Sequence, residues 1–238
     1  MTDVTRRGLL GMAAATGAVA LGAPQALGAT DPARSFQRLL SAENAVLLLV
    51  DQQVGLYTGV RDRPVGELKH NVVALTRAVK RLGVPIVTTA TGIRNQWGPV
   101  IPELVAELPA GHQTIERTVI NAWRDERVRD AVRKTGRRQL LIAGVSLEVC
   151  AAFPAISALA DGFETFVAVD ASGTFSEAKY QTGLLRMTQA GVVLSDYATI
   201  GVELLGDNAN PAAHDVYTAL DLPFATLVGQ LAAAFRPK

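Results

Sequence analysis

The chain's only cysteine, Cys150, stands in the stretch LLIAGVSLEVCAAFPAISALADGF (140–163), where an apolar run gives way to a short polar bend and then to an apolar helical pattern. A thiol at such a bend becomes a nucleophile when its thiolate is stabilised. The unsatisfied N–H groups and positive dipole end of a helix start do this. A neighbouring carboxylate can take the proton, and a fixed cation lowers the thiol pKa. Free cysteine is also among the most buried residue types, so position alone leaves a nucleophile and a small core residue both open. A candidate acid is Asp51, which ends the continuous apolar run AVLLLVD (45–51).

Other reactive residue types are sparse. The three histidines, His70, His112 and His214, are scattered and show no ligand spacing, so no metal site is expected. Trp97 in NQWGPV and Trp123 in INAW fall near loops that would flank a crevice, where they are expected to line a small, partly apolar pocket. Asp170 reads as a helix or turn cap. Glu148 and Glu177 flank the same region without an assigned role.

The elements that must position these residues alternate in type. Strands are expected over 45–51, 84–90, 113–117, 139–145, 164–170 and 192–196. Helical patterns run over about 66–82, 124–136 and 176–191, with another starting near Cys150. Six strands with crossover helices predict an α/β fold: a doubly wound, mainly parallel sheet of order 3-2-1-4-5-6, Rossmann-like, with helices on both faces in three layers. In that order the first and fourth strands are neighbours, and ligands bind beyond their carboxyl ends. Asp51 and Cys150 would meet in that crevice.

With 238 residues, 49% hydrophobic and 19% charged, the chain is long enough for one substantial core. Its formal charge of +1 gives no electrostatic footprint for nucleic acid. Residues 1–29 place Arg6 and Arg7 before a short Ala/Gly-rich run, which resembles a twin-arginine export signal with cleavage near residue 28. The protein is therefore expected to be periplasmic or secreted, with no membrane span after signal removal. A single cysteine excludes an intramolecular disulfide, and an unpaired thiol kept in an exported protein asks for a reason. The remaining divisions are a catalytic domain over 36–207 and a C-terminal helical arm over 208–238 that begins at the turn-rich DNANPAAHD.

Taken together, AVLLLVDQQVGL, INAW, the segment around Cys150 and VAVDASGTFSE…RMTQAGVVL resemble the isochorismatase-like cysteine hydrolases, particularly their ring-forming subgroup of poorly defined substrate. The resemblance covers roughly residues 40–205 and implies the doubly wound fold, a homo-oligomeric ring of hexamer or octamer type and a cofactor-free site. It implies a triad of aspartate, lysine and cysteine, with Asp51 and Cys150 in the first and last places. Arg117 stands in the place of the lysine. An arginine supplies the permanent charge but does not readily give up a proton, and its fork is bulkier than an ammonium. Lys69, Lys80, Lys134 and Lys179 all lie on or beside expected helices and read as solvated. The resemblance further implies Gln53 as a pocket residue, a cis Val145–Ser146 peptide bond, and an oxyanion hole from the Ser146 and Cys150 N–H groups.

The function so implied is hydrolysis of a non-peptide C–N bond in an amide-like small molecule through a Cys150 thioester. The alternatives are a catalytically inactive, ring-forming binding protein of the same fold, which the Arg117 departure makes a serious reading, and an isochorismate-type vinyl-ether hydrolase. A redox-sensing thiol is a further reading.

Overall fold

The computed structural model describes residues 39–235. The segment read as an export signal lies outside the described residues.

Six strands form one sheet: β1 (Ala45–Val50), β2 (Ile86–Thr91), β3 (Thr114–Arg117), β4 (Gln139–Gly144), β5 (Glu164–Ala168) and β6 (Val193–Ser195). Their order is β3-β2-β1-β4-β5-β6, and every neighbouring pair runs parallel. β1 explains why the sheet is central. It is apolar at every position because both of its faces are covered, as parallel strands require. Leu47 and Leu49 enter one apolar layer, and Val46, Leu48 and Val50 the other.

The main helices are α1 (Val65–Arg81), α2 (Glu126–Lys134), α3 (Ala152–Ala160), α4 (Glu177–Ala190), α5 (Tyr197–Leu205), α6 (Ala213–Leu220) and α7 (Pro223–Ala234). Helices α1, α5 and α6 contribute to the first layer, and α2, α3 and α4 to the second. Capping residues fix several boundaries. Asp125 accepts from Arg127 N at the start of α2 and Ser176 from Lys179 N at the start of α4, which ends at Gly191 with φ 89°.

The sequence 208–238, read as an arm, divides in two. Val216 and Leu220 of α6 are fully buried in the first layer, and Leu220 packs directly over Gly201 of α5. α6 therefore belongs to the core. α7 instead presents Phe224, Leu227, Val228 and Leu231 to the outside. Among the described residues no helix is long and apolar enough to cross a membrane.

Candidate active site

The parallel register sets the distances at the carboxyl edge of the sheet. Val50 pairs with both Thr89 and Gly144, so the residues after β1 and β4 emerge side by side. Asp51 has φ 55°, a left-handed conformation unusual for a residue with a Cβ, although aspartate tolerates it better than most. Its N–H still donates to Thr89 O at 2.9 Å, so the chain breaks away from the sheet only after this residue.

After β4 the Val145–Ser146 peptide bond is cis. The chain then winds into a single π-helical turn, Leu147–Ala151, before α3. Cys150 lies inside this turn, and its N–H donates to Ser146 O at 2.7 Å. Two glycines allow the turn its place. A Cβ on Gly144 would stand 2.9 Å from the Cys150 carbonyl carbon, and one on Gly183 of α4 would stand 2.5 Å from Leu147 Cδ2. The turn is thus wedged between the end of β4 and α4.

Arg117 ends β3, two strands from β1, a separation of roughly 9.5 Å. Only a long side chain spans it. Its guanidinium Nη2 donates to Asp51 Oδ2 at 2.5 Å, and both side chains are essentially fully buried. Nη1 donates to the carbonyl oxygens of Val119 and Ile120. Within this pair, Asp51 Oδ1 and Arg117 Nε are buried with no hydrogen bond of ordinary geometry among the described residues.

The electrostatics follow from this burial. Desolvation raises the Asp51 carboxyl above the usual carboxylate range, against the pull of the Arg117 charge and of hydrogen bonds from Cys150 and Thr91. The Cys150 thiol is pushed well above its ordinary value, first by desolvation and then by the Asp51 charge and hydrogen bond. Arg117 and the Ser146 backbone N–H act in the opposite sense. Helix-start activation of the thiolate, expected from sequence, is therefore outweighed. The resting site holds a neutral thiol against a carboxylate made more basic by burial. Cys150 remains half-buried, so the residue keeps contact with solvent.

The structure brings Asp51, Arg117 and Cys150 together with Ser146 beside the sulfur. It redirects the other residues singled out in the sequence. Gln53 is fully buried, and its amide is used on backbone: Nε2 donates to Thr91 O and Gly98 O, and Oε1 accepts from Thr91 N. It holds the loop after β2 in place. Trp123 is also turned inward. Asn121 caps the short 3-10 turn Ala122–Arg124, and the indole donates to Asp161 Oδ2 at 2.9 Å while packing edge-on to Phe163. It is a core anchor and not a pocket wall. Trp97 is half-buried against the first layer, and its carbonyl accepts from Gly55 N. The oxyanion pair is altered too, since the Cys150 N–H is already spent on Ser146 O while the Ser146 N–H faces the sulfur. Glu148 is taken by Thr174 Oγ1 and Lys179. Asp170 caps as expected, accepting from Tyr197 N at 2.8 Å. Among the described residues no group of His, Cys, Asp and Glu is arranged to hold a metal ion.

Sequence reasoning missed a cavity of about 410 Å³ that begins one helical turn beyond Cys150, lined by Val119, Ile120, Phe153 and Ile156 with the cations Arg124 and Arg186. Its walls come from a loop and two helices far apart in the chain. Only Ile120 and Asn121, the start of INAW, with Asn121 bonded to Ser157 Oγ, carried a signal for it.

Comparison with known proteins places this geometry. The Isochorismatase domain family matches residues 45–199. The chain is 42% identical over 171 residues to the probable hydrolase YcaC of Escherichia coli K12, covering 72% of this chain and 82% of that protein. The crystal structure of the E. coli YcaC gene product, described as an octameric hydrolase of unknown specificity, overlaps with a TM-score of 0.77 at 38% identity, covering 82% of this chain and 97% of that one. YcaC from Pseudomonas aeruginosa, solved with hexane-2,5-diol and covalent acrylamide, overlaps equally well, with TM-score 0.77 and 36% identity over 82% and 98% of the two chains. The chain belongs to the isochorismatase-domain family of hydrolases.

Proposed function

We propose that this protein is a cofactor-free cysteine hydrolase of a non-peptide C–N bond in an amide-like small molecule, working through a Cys150 thioester in a homo-oligomer. The observation that carries the reading is the Asp51 carboxylate. One of its oxygens is fixed on Arg117, and the buried carboxylate also takes a hydrogen bond from the neutral Cys150 thiol.

The arrangement suits a base that must hold a proton briefly. Asp51 takes the Cys150 proton as the sulfur attacks the substrate carbonyl, forming the C–S bond. The resulting oxyanion is stabilised by the Ser146 N–H. Collapse breaks the C–N bond, and Asp51 delivers its proton to the leaving amine. The carboxylate then activates water, which cleaves the thioester and restores the thiol. Arg117 keeps the carboxylate oriented and offsets the negative charge that builds up between base and nucleophile.

Two further points support the reading. The P. aeruginosa YcaC carries covalent acrylamide, an electrophile to which thiolates add, and the E. coli relative is an octamer. We extend reactivity and assembly to this chain on those grounds. Export through the N-terminal segment is proposed with them.

The opposing reading, an inactive binding protein, draws on the raised thiol pKa and the Cys150 N–H already bonded to Ser146 O. Small amides, nitriles and hydroxamates should be screened against wild type and Cys150→Ala, with intact-mass detection of the acyl-enzyme. Turnover with a transient Cys150 adduct, lost in the variant, is expected. Turnover that survives in Cys150→Ala, or no reaction of Cys150 with iodoacetamide beyond that of a buried thiol, would sink the proposal.

A further inference from the structure

The two terminal nitrogens of Arg117 hold different parts of the molecule. Nη2 is on Asp51 Oδ2, and Nη1 is on the carbonyls of Val119 and Ile120, which wall the cavity beyond Cys150. We infer that Arg117, besides supplying charge, is a positioning residue: a clamp that fixes the Val119–Ile120 wall to the carboxylate of Asp51. The inference rests on Asp51 being the base.

Burial does not account for the placement of this wall. Val119 is 41% and Ile120 67% exposed, so their side chains give the segment little packing. On its far side the backbone is steadied by Asn121, whose Oδ1 accepts from Trp123 N and whose Nδ2 donates to Ser157 Oγ. On its near side the hold comes from the guanidinium, which is itself sealed from solvent. The segment is thus slung between two polar anchors. A planar fork suits three oxygens arrayed around it, whereas a lysine ammonium is a single compact centre on a flexible stem. Lysine at this position would retain the charge beside Asp51 and loosen the wall. The consequence for function is linkage: whatever fills the cavity and shifts the wall also moves the group that orients the base.

The experiment compares Arg117→Lys and Arg117→Gln with wild type in two readouts that need no substrate. The first is ¹⁵N relaxation of the Val119 and Ile120 amides in perdeuterated protein, with the Ile156 amide in α3 as internal control. The second is the pH profile of iodoacetamide alkylation at Cys150. In Arg117→Lys the two wall amides are expected to fall from the rigid range, with an order parameter of about 0.85, to below about 0.6, while Ile156 is unchanged. The alkylation midpoint should stay close to wild type because the charge is kept. In Arg117→Gln the midpoint should move up, since the charge that lowers the thiol pKa is gone. Wall amides that stay rigid in Arg117→Lys, or loosening shared equally by Ile156, would overturn the clamp. A Cys150 that proves inert in wild type would defeat the proposed hydrolase and leave the relaxation result standing.

Discussion

Asp51→Asn separates two properties that an active-site mutation usually destroys together. Asp51 raises the Cys150 pKa through both its charge and its hydrogen bond, and Arg117 lowers it. Replacing the carboxylate with an amide removes the opposing charge and leaves the buried guanidinium facing the sulfur. A charge this close shifts a pKa by about 1–3 units. For a drop of about 2 units, the thiolate fraction at a given pH well below the midpoint rises roughly 100-fold. The less basic thiolate is also a weaker nucleophile, and a Brønsted coefficient of about 0.4–0.5 takes back about tenfold. Alkylation by iodoacetamide near neutral pH is therefore expected to be about tenfold faster than in wild type, with its midpoint moved down. Hydrolysis is expected to fall by about 10²–10⁴, because the proton acceptor and donor is gone. The assay is the second-order alkylation rate from pH 5 to 10 by intact mass, beside turnover of whichever amide the screen identifies. Alkylation that is unchanged or slower, with an unmoved midpoint, would refute the coupling of Asp51 to the thiol. Undiminished hydrolysis would remove Asp51 from the mechanism.

Three other substitutions test separate parts of the description. Burial, reinforced by the charge of Asp196, raises Asp170 to about 6. The folded carboxyl thus keeps a proton that the unfolded chain has lost between about pH 4 and 6, and stability declines as pH rises through that window. Asp170→Asn is expected to stabilise the protein by about 1–3 kcal/mol at pH 8 and by nothing near pH 4, read from urea midpoints; equal effects at both pH values would contradict the assignment. Gly144→Ala forces a Cβ to within 2.9 Å of the Cys150 carbonyl carbon, so a loss of about 1–3 kcal/mol and slower alkylation are expected, and a thermal midpoint like wild type would show that the turn is not wedged. Trp123→Phe loses the hydrogen bond to Asp161 and should cost about 1 kcal/mol with KM unchanged, whereas a several-fold rise in KM would return Trp123 to the pocket.

The central strands β1 and β4 were legible because each is a short, largely apolar run that a covered parallel sheet buries on both faces. AVLLLV has no polar face to offer solvent, and its place at the centre of the six follows. The meeting of Asp51 with Cys150 followed from strand order, and Arg117 from its resemblance to a family position. What stayed hidden depended on orientation. INAW does not tell which way its tryptophan points; that is decided by the Asn121 cap, which starts a turn and rotates the indole onto Phe163. Gln53 was recognised, but its direction was not, because the backbone it holds belongs to a loop 38 and 45 residues away. The helix expected at Cys150 begins as a π turn, and the periodicity of its apolar residues is too coarse to register one extra residue per turn.

The sign of the thiol shift is the deepest of these differences. A helix start beside a cation argues for a depressed pKa, and both features are present. They act on a sulfur that is also desolvated and placed against a carboxylate, and those two effects win. A resting thiolate is therefore not what this site stores. It stores an acid–base pair in which each member is disfavoured in its charged form, so a single proton transfer from sulfur to Asp51 moves the negative charge without adding to it, beside the Arg117 cation that acts on both. Such a pair reacts with solvent electrophiles more slowly than a resting thiolate would, and becomes fully nucleophilic when a carbonyl is positioned to accept the sulfur. On this argument the wild-type thiol should be less reactive toward iodoacetamide near neutral pH than its Asp51→Asn counterpart, even though only the former completes a catalytic cycle.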